Sequence, residues 1–268
     1  MLQVARLAPN LLQEAADPVA RFLREQFNED GGARDRAGKS DLYYTVFALE
    51  GLIALRQELP AERVRPYLRT FADGDGLDLV HQACLARCWA ALGKDAIPAD
   101  ATDRLAANIL VGGNGSVYHQ FLQFGAIEDL GHKIEDPAAV ISTVLEHQSP
   151  DGSFLGTTPT TAGAMTLLHH LGADVPRKAV DWLLARASPK GGFLPAPDSP
   201  VPDLLSTATA LHALAAAHAS IGALKEPMLD FVDTLWTGKG FCGSWADDVV
   251  DSEYTFYALL ALGHLSLP

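Results

Sequence analysis

Positively charged residues and cysteines are both scarce in this chain. Lysine and arginine together number 20 against 33 aspartates and glutamates, which gives a formal net charge of -13 over 268 residues. Nucleic-acid binding depends on clustered lysines and arginines, so this balance argues against a nucleic-acid partner. Three cysteines are too few for a disulfide framework, and we expect a reducing, cytoplasmic environment.

Long apolar runs are missing as well. Residues 1–18 include Glu14 and Asp17 and no uninterrupted apolar stretch, so we predict neither a signal peptide nor a membrane span. Hydrophobic residues still make up 48% of the chain, which is enough for a sizeable core. We predict one domain over residues 1–268 rather than two small ones.

A unit of roughly 40 residues recurs along the chain. Each unit has an amphipathic segment such as PRKAVDWLLARA, a glycine-rich turn such as PDGSF or PKGGF, and an Ala/Leu-rich segment such as TATALHALAAA. A helix that is apolar on nearly all sides must be buried, whereas an amphipathic helix lies on the surface. Two concentric rings satisfy both patterns, and we predict an all-α fold, an α6/α6 toroid of about twelve helices in six pairs. An open solenoid would need polar terminal caps, but the last unit ends in the apolar stretch ALLALGHLSLP. This favours a closed ring.

These turns, followed by an aspartate and an Ala/Leu helix, resemble the prenyltransferase and squalene-oxidase repeat over residues 16–265. The stretch GGARDRAGKSDLYYT resembles the last repeat of protein farnesyltransferase β subunits, with Tyr44 in place of a zinc-binding histidine. The stretch GKGFCGSWADDVVDSEYTF resembles the preceding repeat, in which Asp251 and Tyr254 match but Glu253 replaces a zinc-binding cysteine. Because phenol is a poor zinc ligand, these replacements argue against zinc and against zinc-dependent protein prenylation.

The same segment also resembles the Asp-x-Asp-Asp-Thr run of class II terpene cyclases, whose middle aspartate protonates an alkene. Glu253 stands in the place of that acid and Asp251 lies two residues before it. The resemblance implies that Glu253 is a catalytic acid with Asp251 as its catalytic partner. A neighbouring carboxylate would help to hold such an acid protonated.

Charged residues near these two segments give two further predictions. Asp247, Asp248 and Asp251 spell DDxxD, a spacing that chelates magnesium around a diphosphate. The alternative is that Asp251 caps a helix while the other two are solvated. A basic loop could hold the diphosphate or form surface ion pairs. That loop comprises Arg34, Arg36 and Lys39.

Aromatic residues concentrate at the starts of the predicted inner helices. There they would line or rim a central cavity and contact an isoprenoid chain or a carbocation, the alternative being ordinary packing. His81 occupies the same repeat position as Tyr44 and Tyr254 and is included for that reason. The aromatic residues are Tyr43, Tyr44, Tyr118, Trp245, Tyr254 and Tyr257.

Together these features predict an enzyme that transfers or cyclises a prenyl (diphosphate) substrate in a central cavity, with magnesium as its predicted cofactor. The main alternative is a non-catalytic toroid that binds a lipid, a peptide or a partner subunit. The β subunits of protein prenyltransferases, for comparison, work with a helical α subunit. A third, carbohydrate cleavage, would need two acids about 5 to 10 Å apart across an open cleft. Only one acidic cluster is evident in the sequence.

Overall fold

The structure is a computed structural model that describes residues 1–93, 99–113 and 115–267. Within these ranges helices dominate, joined by glycine-rich turns and two short hairpins. The strands are β1 (Ala33–Arg34), β2 (Ser40–Asp41), β3 (Cys242–Ser244) and β4 (Asp247–Val250). The helices are α1 (Leu2–Ala5), α2 (Pro9–Leu12), α3 (Ala16–Glu25), α4 (Leu42–Ala54), α5 (Ala61–Arg69), α6 (Leu79–Leu92), α7 (Ala99–Val111), α8 (Val117–Asp129), α9 (Pro137–Glu146), α10 (Thr158–His170), α11 (Arg177–Leu184), α12 (Leu204–Ala216), α13 (Lys225–Thr234) and α14 (Ser252–Leu265).

Six helices form a closed inner ring. Helices α4, α6, α8, α10, α12 and α14 each pack against the next, and α14 packs back against α4. Helices α3, α5, α7, α9, α11 and α13 form the outer ring, each in contact with the inner helix that follows it. The predicted all-α toroid of paired helices is therefore confirmed. No helix in the described part of the chain is both long and apolar enough to cross a membrane.

Burial follows the sequence pattern that predicted the two rings. The outer helix α11 buries one face, which includes Val180 and Leu183, and exposes its charged residues. The inner helix α12 buries nine of its thirteen residues, because it packs against α10, α14 and the outer ring at once. Ala208 and Ala210 are fully buried there, and their small side chains let neighbouring helices approach closely.

The glycine-rich turns join the outer helix of each repeat to its inner helix and contact the next outer helix. Gly31 and Gly191 have φ angles of +96° and +86°, where a residue with a Cβ is strained. A Cβ at Gly31 would overlap the carbonyl oxygen of Arg63 in α5, and one at Gly191 would overlap that of Pro227 in α13. Glycine is therefore required both for the backbone conformation and for the close approach to the next outer helix.

Aspartates cap most of the inner helices. Asp251 accepts a hydrogen bond from the backbone N–H of Tyr254 at 2.9 Å, which confirms its predicted place as the N-cap of α14. The aspartates before α4, α6 and α12 accept equivalent bonds, and Ser116 does so before α8. This repeated capping sets where each inner helix begins and so places the first-turn residues around one end of the ring.

Candidate active site

A central cavity of about 220 Å³ lies inside the ring, and all six inner helices line it. We call the end where the inner helices begin the mouth and the opposite end the floor. The volume is somewhat below the range of about 300–1,000 Å³ of typical ligand pockets, so the cavity suits a slender apolar molecule. One lining residue from each inner helix, in chain order, is Val46, Cys84, Phe121, Gly163, Thr209 and Tyr257.

A carboxyl group is hydrogen-bonded to a residue of the mouth, although Glu253 itself is not among the described residues that line the cavity. Tyr43 lines the cavity from the first turn of α4, and its hydroxyl donates to Glu253 Oε1 at 2.6 Å. Burial raises the pKa of Glu253 to about 7; the bond from Tyr43 lowers it and the nearby charge of Asp251 raises it. Near neutral pH the carboxyl is therefore divided between its protonated and ionised forms, as a general acid requires.

The contact between α4 and α14, which we call the seam, is held by a guanidinium between two carboxylates. Arg36 donates from Nε to Asp251 Oδ2 and from a terminal nitrogen to Asp247 Oδ2, both at 2.8 Å. It also lies 5.4 Å from the centre of the Tyr254 ring. Burial raises the pKa of Asp251, while its cap bond and Arg36 lower it. Arg36 therefore brings the basic loop beside the acidic cluster.

The DDxxD residues are not arranged as a magnesium site. Asp247 and Asp251 share Arg36, and Asp248 is exposed on β4. Across the described residues, no three His, Cys, Asp or Glu side chains are grouped so that they could hold a metal ion. Arg36 already offsets the charge of Asp247 and Asp251, so these two carboxylates are not free to chelate a metal ion. Magnesium stays a prediction from the sequence.

The other two basic residues have separate surroundings. Arg34 donates to the carbonyl oxygen of Glu25. Lys39 is exposed, and its backbone N–H donates to Asp35. Among the described residues that line the central cavity, none belongs to this loop. The arrangement of Arg36 therefore corresponds to the ion-pair alternative rather than to a free diphosphate site.

The predicted aromatic residues divide into three groups. Tyr43, Tyr118 and Tyr257 line the central cavity, as predicted. Tyr44 and Tyr254 lie at the seam, where Ser252 donates to the Tyr44 carbonyl and Tyr254 contacts Arg36. The sixth residue, Trp245, does not line the cavity.

Trp245 faces the outer ring instead of the cavity. Its indole N–H donates to Thr234 Oγ1 at 2.8 Å, and its ring lies 5.4 Å from that of Phe231. Both partners belong to α13. Trp245 lies in the turn of the β3–β4 hairpin, which packs its side chain against α13. Although Trp245 is close to α14 in sequence, it does not lie at the mouth.

His81 stands at the mouth between two capping aspartates. Its Nδ1 lies 2.8 Å from Asp78 Oδ1, and its Nε2 lies 3.5 Å from Asp41 Oδ2. Partial burial lowers the pKa of His81, but the two carboxylates outweigh that effect and raise the pKa above its ordinary value. The histidine is therefore held by protein groups near the cavity rather than inside it.

An ion pair that the sequence pattern did not predict lies at the floor. Glu50 and Arg87 both line the cavity, and Arg87 Nε donates to Glu50 Oε1 at 3.1 Å. Arg87 Nε also lies 3.8 Å from Asp129 Oδ2. A signal was present, because Glu50 and Arg87 are charged residues in the middle of otherwise apolar inner-helix segments. Such residues are seldom buried unless they are paired.

Comparison with known proteins agrees with this architecture. Candida albicans protein geranylgeranyltransferase-I complexed with GGPP is 14% identical, with a TM-score of 0.62 over 97% of this chain and 91% of that one. The type II terpene cyclase MstE from Scytonema, in complex with geranylgeranyl dihydroxybenzoate, is 15% identical, with a TM-score of 0.57 over 97% of each chain. At these identities the likeness establishes the fold. No curated protein sequence matches the chain.

A family model described as the prenyltransferase alpha-alpha toroid domain matches residues 11–87 and 161–266. The two matched segments together make up more than half of the chain, and they contain both sides of the seam between α4 and α14. They also contain the glycine-rich turns at Gly31 and Gly191. The chain therefore belongs to the prenyltransferase alpha-alpha toroid domain family.

Proposed function

We propose that this protein is an enzyme that protonates an isoprenoid chain in its central cavity, with Glu253 as the acid. The observation that carries the proposal is the partly buried Glu253 carboxyl, which accepts a hydrogen bond from Tyr43, a residue that lines the mouth of an apolar cavity. An acid whose pKa lies near the working pH is both populated in its protonated form and strong enough to donate.

The cavity wall supplies groups that stabilise the product of such a step. Protonation of an alkene leaves a carbocation, and the faces of aromatic rings attract cations. Tyr118, Phe121 and Tyr257 contribute rings to the wall. The two structural relatives were solved with GGPP and with geranylgeranyl dihydroxybenzoate, which supports an isoprenoid ligand for this cavity too.

Charge favours an uncharged isoprenoid over a prenyl diphosphate. A diphosphate group needs free basic side chains or a metal ion. Arg36 is already bonded to Asp247 and Asp251, and Arg87 is bonded to Glu50. A diphosphate at either end of the cavity would therefore approach carboxylates whose cations are engaged. The proposed substrate is a neutral polyene, and the proposed reaction is an isomerisation or cyclisation.

Two residues position the acid. Tyr43 fixes the orientation of the Glu253 carboxyl through its hydrogen bond, and Asp251 opposes ionisation of Glu253 through its charge. Asp251 thereby takes the partner role that the resemblance implied, while it also caps α14 and pairs with Arg36. Tyr43 and Asp251 are positioning residues in this proposal, and Glu253 alone transfers the proton.

A product screen tests the proposal. Purified protein is incubated with squalene, geranylgeraniol and GGPP, each with and without magnesium, and the products are identified by mass spectrometry. We expect isomerised or cyclised products from a neutral polyene without magnesium, and their loss in Glu253→Gln. Asp248→Asn is the matched control, since Asp248 is an exposed acid of the same segment. Full activity of Glu253→Gln, or conversion of GGPP alone, would reject the proposal.

Binding of a partner subunit is a second candidate function, favoured by one feature of the outer surface. Leu110 and Val111, at the end of α7, are 56% and 84% exposed. They adjoin a groove of about 480 Å³ that residues of α7, α8 and α9 line. Exposed apolar residues beside a groove are a feature of protein-binding surfaces. Light scattering of the wild type and of Leu110→Glu/Val111→Glu, with co-purifying proteins identified, tests this function; identical partners for both would reject it.

A further inference from the structure

A second cavity, of about 230 Å³, adjoins the central cavity at its floor, where the last turns of α8 and α10 line it. Each of the two cavities is smaller than a typical ligand pocket of about 300–1,000 Å³, whereas together they fall within that range. The residues that line both cavities form the wall between them. They are Met1, Arg87, Phe121, Leu122 and Thr166.

The inner ring is held most loosely beside the second cavity. Helices α8 and α10 make the loosest contact between any two neighbouring inner helices. Helix α8 buries three of its thirteen residues, whereas α12 buries nine of thirteen. An ion pair spans the gap, with His170 Nε2 3.0 Å from Glu128 Oε2, and the two side chains are 55% and 46% exposed. Exposed ion pairs add little stability, so this side of the ring can open at low cost.

Two glycines line the cavities on either side of the wall. Gly163 of α10 lines the central cavity, and Gly125 of α8 lines the second. A Cβ at Gly125 would meet nothing within 4 Å, and one at Gly163 would meet only Phe121, at 3.9 Å. At Gly51 and Gly263, the other two glycines of the inner helices, a Cβ would overlap a neighbouring helix. Glycine inside a helix is less stable than alanine, so Gly125 and Gly163 keep space free rather than serve packing.

The charged groups around the second cavity already face opposite charges. A bound ligand therefore needs no charge of its own, although a carboxylate can still accept a hydrogen bond from a hydroxyl group. The second cavity has two such carboxylates, Glu128 and Asp129, in its lining. The opposite charges are Arg87 beside Glu50 and Asp129, the Met1 amino group near Glu50, and His170 beside Glu128.

We infer that the second cavity is a subsite for the hydroxyl end of a long uncharged chain, the rest of which fills the central cavity. Met1, Phe121 and Leu122 in the wall are only partly buried, so their side chains can turn aside to join the two cavities. The other end of the chain would then lie towards Tyr43 at the mouth. That the chain is an isoprenoid alcohol rests on the proposed function, whereas the two-cavity site does not.

The inference is tested with a short and a long alcohol, geraniol and geranylgeraniol. Dissociation constants are measured by calorimetry on the wild type, Gly125→Leu and Gly163→Leu. The wild type is expected to bind geranylgeraniol at least about a hundredfold more tightly than geraniol, because the longer chain buries more apolar surface. Gly125→Leu fills the second cavity and should weaken geranylgeraniol binding at least about tenfold, with geraniol binding unchanged within about twofold. Gly163→Leu, the matched control, fills the central cavity and should weaken both.

A third probe locates the hydroxyl group. Geranylgeranyl methyl ether has the same chain but no O–H donor, and the wild type should bind it about tenfold more weakly than the alcohol. This preference should be lost in Gly125→Leu and kept in Tyr43→Phe, which changes the mouth. The opposite result would place the hydroxyl at the mouth and reject the subsite. Equal weakening of geraniol and geranylgeraniol by Gly125→Leu would also reject it.

The stability of Gly125→Ala gives an independent check. Its melting temperature should equal or exceed that of the wild type, and a lower one would show that Gly125 serves packing and would reject the subsite. None of these measurements depends on turnover. The expected binding pattern with no products from any isoprenoid would reject the proposed function and keep the subsite. Turnover that requires Glu253, with no effect of Gly125→Leu on any probe, would reject the subsite and keep the proposed function.

Discussion

Arg36 and Asp251 lie 215 positions apart in the sequence, and their side chains are joined by a hydrogen bond of 2.8 Å. The bond links the loop before α4 to the N-cap of α14, so it closes the ring between the first and sixth repeats. The Asp251 side chain is only 5% exposed, whereas Arg36 is 38% exposed. The carboxylate therefore depends on this cation more than the cation depends on the carboxylate.

Replacing Arg36 with glutamine should destabilise the whole ring. The buried Asp251 carboxylate would lose its counter-charge, and we expect the free energy of unfolding to fall by about 2 kcal/mol, between the values for exposed and buried pairs. Without Arg36 the pKa of Asp251 would rise further, so the loss should be larger at pH 8 than at pH 5. Urea denaturation at both pH values measures it. Arg34→Gln is the control, and an equal effect of both variants would contradict the prediction.

The hydrogen bond between Tyr43 and Glu253 gives a prediction for the pH dependence of activity. Burial raises the pKa of Glu253 to about 7 and the bond from Tyr43 lowers it, so Tyr43→Phe should raise it further. If the protonated form is the catalyst, activity should fall as pH rises through about 7 in the wild type. In Tyr43→Phe this fall should move to higher pH. Reaction rates measured from pH 5 to 9 check this. A fall at the same pH in both proteins, or at lower pH in Tyr43→Phe, would contradict the prediction.

The ring itself could be predicted from the sequence because its signals are local. The segment TATALHALAAA has no polar face, and the structure buries it as α12. Asp251 matches the aspartates before other inner helices, and the structure makes it an N-cap. Helical periodicity and capping depend on residues a few positions apart, so one sequence suffices to recognise them.

The partners of the site residues could not be predicted, because they depend on how the ring closes. The DDxxD spacing indicated a metal site, but Arg36 reaches Asp247 and Asp251 from the opposite end of the chain. Trp245 precedes α14 in sequence, but a hairpin turns its side chain towards α13. The spacing of residues in one segment does not indicate which distant side chain will lie between them.

A buried pair of histidines makes stability depend on pH. His212 Nδ1 lies 3.0 Å from His264 Nε2 at the contact between α12 and α14. Burial lowers the pKa of His212 to about 3 and that of His264 to about 4. In the unfolded chain both histidines should have a pKa of about 6.5. Between that pH and the lower folded pKa values, the unfolded state therefore binds more protons than the folded state. The contribution of this neutral pair to the free energy of unfolding is therefore fully present above about pH 6.5 and is lost as pH falls towards 4.

A double variant isolates this effect. His212→Leu/His264→Leu keeps similar volume and removes both protonation sites, so its stability should fall less between pH 7 and pH 4. We expect the difference between the two proteins to change by about 3 kcal/mol for each histidine over that range, as measured by urea denaturation at each pH. All other ionisable groups are common to both proteins. Parallel stability curves would show that the histidines titrate normally.

Two glycines with nearly the same backbone conformation test how the repeats are joined. Gly191 and Gly238 have φ angles of +86° and +88°. A Cβ at Gly191 would overlap the carbonyl oxygen of Pro227, whereas at Gly238 it would meet nothing within 4 Å. Gly238→Ala should therefore cost only backbone strain, about 1 kcal/mol. Gly191→Ala must also displace α13 from the turn, and we expect it to cost at least about 2 kcal/mol more.

Chemical denaturation of the two alanine variants, side by side, measures this difference. Because Gly191 and Gly238 differ little in φ, their common strain cancels, and the remaining loss reports the contact between one repeat and the next outer helix. Equal losses would mean that the turn can move away from Pro227 at little cost. The glycine-rich turns would then shape the backbone of each repeat without fixing the position of its neighbour.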